Sequence, residues 1–164
     1  MHVCFFRVII ILGGIMDYIE DKHIGVYGLI IKDDEIVLIK KKTGPYDGKL
    51  DLPGGGFLFG ERPVETLKRE LKEEVGIDVI DCELYDTDSV RVDWTWNDKK
   101  VKGHHIGIFY IIKSYDKEIL KEVSITEQND DSLGADYYKI SDLNKKDLSL
   151  IAIIELEKLG YKLK

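Results

Sequence analysis

The sequence predicts an α/β (α+β) domain in which a mixed β-sheet lies between two helices. Three observations predict it. Short β-rich runs separated by turn signals recur from His23 to Ile140. Two stretches, Pro63 to Gly76 and Leu148 to Leu159, carry apolar residues at helical spacing. The chain of 164 residues suits one domain with a single sizeable core.

The elements follow in order. His23–Ile31 and Glu35–Lys41 read as a hairpin across Lys32-Asp33-Asp34. Gly44-Pro45 and Asp47-Gly48 mark turns between Thr43 and Asp51. Leu52–Phe57 reads as a short strand interrupted by Gly54-Gly55-Gly56, where the backbone must bend or approach something closely. Ile77–Tyr85 and Ser89–Trp96 are two further strands, and the second turns through Asn97 to Lys100 into Val101–Ile112. Asp116–Val123 is a weaker strand and Asp136–Ile140 a short one. The last helix presents Leu148, Ile151, Ala152, Ile154 or Glu155, and Leu159 on one face. This order packs most naturally as a sheet layer between helices.

The first helix carries the chemistry. Pro63 suits its first turn, where the missing N–H would be unpaired anyway, and Gly76 suits the position just past its end. Val64, Leu67, Leu71 and Val75 fall within roughly 80° of arc at about 100° per residue, enough to dock on a core. Glu70, Glu73 and Glu74 share a second arc of about 100°. Like charges at this spacing repel by a few tenths of a kcal/mol per pair. A divalent cation would reverse the sign of that cost, because hard ions take carboxylate oxygens. The bland alternative is a solvated Glu/Lys face neutralised by Lys68, Arg69 and Lys72.

The spacing around the triplet separates the two readings. Gly55, Glu61, Arg69-Glu70-Leu71, Glu73-Glu74 and Gly76-Ile77 fill every position of G-x5-E-x7-R-E-U-x-E-E-x-G-U, where U is aliphatic. This resembles the Nudix box of the Nudix hydrolases, the superfamily that includes the MutT-related pyrophosphohydrolases. The resemblance implies an α/β/α sandwich and a metal-dependent hydrolase. Its substrate would be a nucleoside tri- or diphosphate derivative (NDP-X), cut at the pyrophosphate linkage by water attack. It also implies Mg²⁺ or Mn²⁺ held by Glu70, Glu73 and Glu74, with Glu70 as ligand or as base. Arg69 would pair with a box glutamate and hold the loop, and Glu61 would share that ion pair or bind an outer-shell water. Gly54 and Gly55 would let backbone close on the metal–phosphate cluster, and Gly76 would end the helix. Family members add an acidic residue from a distant loop: Glu127 is the first choice, with Asp130 and Asp131 as rivals. The alternative from another class is a Nudix-fold sensor that binds nucleotide without turnover; the intact box glutamates argue against it. An acidic helical surface for a protein partner is a third reading, and it requires that no metal bind.

Other residues bear on the substrate. Trp94 and Trp96 share a strand face and could stack a base, or could simply pack across a hairpin. His104 and His105 point to opposite faces, so at most one meets a cleft. Lys40 to Lys42 and Lys49 flank the glycine loop, where they could meet phosphates or serve solubility. The chain has Leu50 where many relatives carry Trp, and Arg62 where many begin the helix with Ser or Thr. No proline follows Pro63, which removes the marker associated with ADP-ribose pyrophosphatases of the superfamily. A tyrosine found at a set distance in dinucleoside polyphosphate hydrolases is also missing.

Composition narrows the partners. A net charge of −7 excludes a broad electrostatic grip on nucleic acid. Cys4 and Cys82 make neither a disulfide framework nor a zinc cluster, and a reducing cytoplasm fits them. The apolar run Val8–Ile15 is far below membrane-spanning length. Leu12-Gly13-Gly14-Ile15-Met16 reads like a translated ribosome-binding tract followed by a start codon. Met16 is therefore the expected initiator, with residues 1–15 a non-native or disordered extension and 17–164 the domain. Relatives are often dimers, and no stretch marks an interface, so a homodimer stays an open expectation.

Overall fold

The computed structural model describes residues 18–119 and 132–164. Eight strands and two helices follow one another: β1 Tyr18–Leu29, β2 Ile31–Lys32, β3 Glu35–Lys41, β4 Leu50–Asp51, β5 Gly54–Gly56, α1 Pro63–Glu74, β6 Asp78–Trp96, β7 Lys99–Asp116, β8 Ser132–Lys139 and α2 Leu150–Lys158.

The middle layer is two four-stranded sheets rather than one. The first has the order β5-β1-β7-β6; the second sets β2 and β4 on one side of β3 and β8 on the other. Only β1 and β7 run parallel, which makes the first sheet mixed. Period-two alternation then splits the core. Val26, Ile30, Val37 and Ile39 pack with Leu67, Leu71 and Val75 of the α1 region. Their chain neighbours Tyr27, Leu29, Ile36 and Leu38 pack with Ile151, Ala152 and Leu156 of α2. One helix on each face gives the expected α/β/α sandwich.

Several boundaries differ from the sequence reading, each for a local reason. Residues 78–96 are one continuous strand, because register shifts at Val79/Asp81, Asp81/Cys82 and Leu84/Asp86 break the two-residue period without ending the pairing. The glycines at 54–56 do not interrupt a strand; they form it, pairing antiparallel with Gly25, Val26 and Tyr27. β7 extends to Asp116, and residues 117–119 add no strand; 120–123 lie outside the described residues. The strand expected at Asp136–Ile140 begins earlier, at Ser132.

Both helix starts are capped. Glu65 accepts from the Arg62 backbone N–H at 2.8 Å, while the Arg62 guanidinium, a donor only, pairs with the other Glu65 oxygen at 2.8 Å. An ion pair thus replaces the missing Ser or Thr. Ser149 caps α2 by accepting from Ala152 N at 3.2 Å, and donates to buried Asp51 at 2.5 Å. Leu148 therefore lies before the helix, though it stays buried.

On α1 the apolar stripe is shorter than expected. Leu67, Leu71 and Val75 are fully buried, but Val64 is exposed at the helix mouth. Leu71 sits directly over Gly28, where an added Cβ would lie 2.9 Å from Leu71 Cδ2. Helix and sheet approach closely because that strand position has no side chain. Leu71→Ala should lower stability by about 3 kcal/mol in denaturant unfolding; an unchanged midpoint would contradict this packing.

Candidate active site

The candidate site is built on one guanidinium. Arg69 donates to Glu61 through Nε at 2.7 Å and Nη2 at 2.9 Å, to Glu70 through Nη1 at 2.7 Å, to Glu73 through Nη1 at 3.2 Å, and to the Gly56 carbonyl through Nη2 at 2.9 Å. These bonds use the full donor set of the fork. Surrounding carboxylates hold the guanidinium ionised, with Glu61 the largest influence.

Glu61 is the best-satisfied carboxylate. It accepts from Arg69, from Thr66 Oγ1 at 2.9 Å and from Leu58 N at 2.9 Å. Its pKa falls to about 2, chiefly through the Arg69 hydrogen bonds. Thr66, wholly buried on α1, is a member that sequence reasoning missed. The signal was there: a Thr five residues after Glu61, in the first turns of the helix.

The box glutamates meet the glycine strand from α1. An added Cβ at Gly55 would stand 2.7 Å from Glu70 Oε1, so only glycine admits that carboxylate. Glu74, 3% exposed, accepts from Gly54 N at 2.8 Å. Gly54 itself has φ 142°, and an added Cβ would meet the Val26 carbonyl at 2.1 Å. Glu73 is the most open of the three, with 28% of its side chain exposed. Gly76 ends the helix with φ 83°.

This donor set fits a hard cation. Four carboxylates, from Glu61, Glu70, Glu73 and Glu74, crowd a glycine strand that offers no side-chain bulk. Arg69 holds Glu70 and Glu73 while Glu74 turns to the backbone, so these oxygens do not converge on one point. Among the described residues, the group with ligand oxygens all within 4.8 Å of one another is Asp86, Asp88 and Glu155.

Other expected residues lie elsewhere. Trp94 pairs with Val101, on the sheet face that carries His105 and Phe109, opposite the Gly55–Glu70 face. Its ring covers Gly103, where an added Cβ would stand 2.4 Å from Cζ3. Lys49 donates to the Lys146 carbonyl at 3.0 Å and so ties β4 to the segment before α2. Glu127, Asp130 and Asp131 lie outside the described residues.

His105 anchors a polar cluster that sequence reasoning placed only by face. Tyr27 Oη lies 2.5 Å from His105 Nε2 and 3.2 Å from His23 Nε2, and Tyr46 Oη lies 3.4 Å from His105 Nδ1. Burial, with the His23 and Lys41 charges, pushes the His105 pKa from 6.5 to about 3. The unfolded chain takes up this proton near 6.5 and the folded chain only near about 3, so stability falls as pH drops between them. Between pH 7 and pH 5 this group alone should cost about 2 kcal/mol. Thermal melts of His105→Gln should show a smaller loss over that interval; an equal loss would contradict the assignment.

With this geometry described, similarity places the chain. The NUDIX domain model matches residues 21–153, and the chain belongs to that family. It is 31% identical over 122 residues to an ADP-ribose pyrophosphatase of Methanocaldococcus jannaschii, covering 74% of this chain and 64% of that one. It is 39% identical over 70 residues to an 8-oxo-dGTP diphosphatase of Haemophilus influenzae, covering 41% and 52%. The chain thus spans between about half and two thirds of these relatives' lengths. Among solved structures, a MutT NUDIX hydrolase from Burkholderia pseudomallei aligns with TM-score 0.60 and 25% identity, over 85% of this chain and 98% of that one. The MutT protein of Bacillus halodurans aligns with TM-score 0.53 and 24% identity, over 72% and 69%, and shares the fold. No helix among the described residues is long and apolar enough to cross a membrane.

Proposed function

We propose that this protein hydrolyses the pyrophosphate linkage of a nucleoside di- or triphosphate derivative, with Mg²⁺ or Mn²⁺ at the box carboxylates. The observation that carries the reading is that Arg69 holds Glu70 against the glycine strand while Glu74 accepts from the Gly54 N–H of the same strand. The named relatives, a pyrophosphatase and a diphosphatase, support the reaction class. ADP-ribose and an oxidised deoxynucleoside triphosphate are the two substrate types to compare. A sensor without turnover is disfavoured by the intact glutamate set.

Each residue contributes a separable part. Glu70, Glu73 and Glu74 would hold the cation, which neutralises phosphate charge and activates water when bound. Arg69, anchored by Glu61, sets the positions of Glu70 and Glu73 and holds the Gly56 carbonyl, so both act as positioning residues. Gly55 leaves room for the Glu70 carboxylate and Gly54 for the β1 backbone, which lets the glycine strand close on the cation-holding glutamates. Glu127 is the proposed additional carboxylate, on the family resemblance alone. Trp94, on the opposite sheet face, has no part in this scheme.

Cation holding by Glu73 and Glu74 is testable without a known substrate. Free Mn²⁺ followed by electron paramagnetic resonance should show binding weakened at least about tenfold in Glu73→Gln. Its stability should stay within about 0.5 kcal/mol, because the group is partly exposed and surrounded by like charge. Glu74→Gln should also weaken binding but cost about 1–2 kcal/mol, since it perturbs a buried acceptor for Gly54 N. Unaltered Mn²⁺ binding in both variants would refute the assignment.

A further inference from the structure

We infer that Asp86, Asp88 and Glu155 form a second divalent-cation site, apart from the box and joining β6 to α2, which the Lys158 ammonium occupies when no metal is bound. The inference does not depend on the proposed hydrolase reaction.

The register brings these residues together. The shift between Leu84, opposite Tyr110, and Asp86, opposite Phe109, inserts one extra residue into β6. That bulge turns Asp86 and Asp88 together toward α2. From α2, Glu155 takes the core-facing position that the sequence left open between it and Ile154, and its side chain is wholly buried. Lys158, one turn later, places Nζ 2.5 Å from Asp86 Oδ2, 2.6 Å from Asp88 Oδ2 and 3.0 Å from Glu155 Oε1.

Two features remain unexplained by an ion pair. Three carboxylates face one ammonium, so the cluster carries excess negative charge. Glu155 Oε2 is sealed from solvent and has no hydrogen-bond partner among the described residues. Lys158 cannot supply one, because its three N–H groups are already directed at the three carboxylates. A buried acceptor of this kind calls for a proton, a water or an ion.

A hard divalent cation answers both features. It would replace one positive charge with two and take Oε2 along with oxygens from Asp86 and Asp88. Ca²⁺ suits the set best, because it accepts six to eight oxygens in flexible geometry and bidentate carboxylates. An entry path exists: Asp86 and Asp88 are 34% and 38% exposed, and Lys158 is 34% exposed on a flexible stem that can swing outward.

The test is calorimetric titration of Ca²⁺ into the full chain as wild type, K158M and D86N/D88N, with thermal melts in parallel. The box is identical in all three, so differences report this site. Removing the competing ammonium should make Ca²⁺ bind at least about tenfold more tightly in K158M than in wild type. K158M should bind one more Ca²⁺ per chain than D86N/D88N, and Ca²⁺ should raise the melting temperature of K158M by more than that of D86N/D88N, whose box is the same. Equal stoichiometry and affinity in K158M and D86N/D88N would overturn the proposal, and would indicate that Glu155 is simply protonated. K158Q, which keeps the stem and a polar end, serves if K158M does not fold.

Discussion

The Arg69 guanidinium is the interaction on which the rest of the site depends. A carboxylate triplet on one helix arc is self-repelling, and a loop of three glycines has little reason to hold one conformation. One planar fork resolves both. It donates to Glu61, Glu70 and Glu73, which offsets part of their mutual repulsion, and fastens the Gly56 carbonyl at the same time. Lysine could supply the charge but not five directed N–H groups. Because the cluster is partly buried, the contacts act in a lower dielectric than at an open surface, and removing the cation would leave several carboxylates uncompensated.

The fold serves that cluster from two directions. From α1, Leu67, Leu71 and Val75 fix the helix on the sheet, and Gly28 lets it come close enough for Glu70 to reach Gly55. From the opposite layer, Asp51 accepts from Leu52 N and Ser149 Oγ, so the strand leading into the glycines is tied to the start of α2. The same helix carries Glu155 and Lys158 to β6. Packed and bonded groups thus connect α2 to the segment that leads into β5.

Much of this was legible in the sequence because it rests on local periodicity and fixed spacing. Pro63 and Gly76 bracket α1, the glutamate arc follows from the wheel, and the resemblance implies an Arg69 pairing with a box glutamate, with Glu61 left open between that ion pair and an outer-shell water. What was not legible depends on long-range register. Bulges in β6 made one strand look like two, and Gly54–Gly56 became a strand only by pairing with β1. Val64, in the first turn of α1, is exposed while Leu67, Leu71 and Val75 are buried, a difference the wheel does not contain. Thr66, the His105–Tyr27 pair and the Asp86–Asp88–Glu155 group join residues far apart in the chain or hidden in unremarkable contexts. Each carries a polar group whose partner only tertiary structure reveals.

The proposed reaction is metal-dependent cleavage of a nucleotide pyrophosphate bond. The most direct test is phosphate and pyrophosphate release from nucleoside triphosphates, ADP-ribose, dinucleoside polyphosphates and nucleotide sugars, with Mg²⁺, Mn²⁺ or chelator. Turnover of one class is expected, present with metal and abolished by chelation. Nucleotide binding with no turnover of any class under any metal would contradict it.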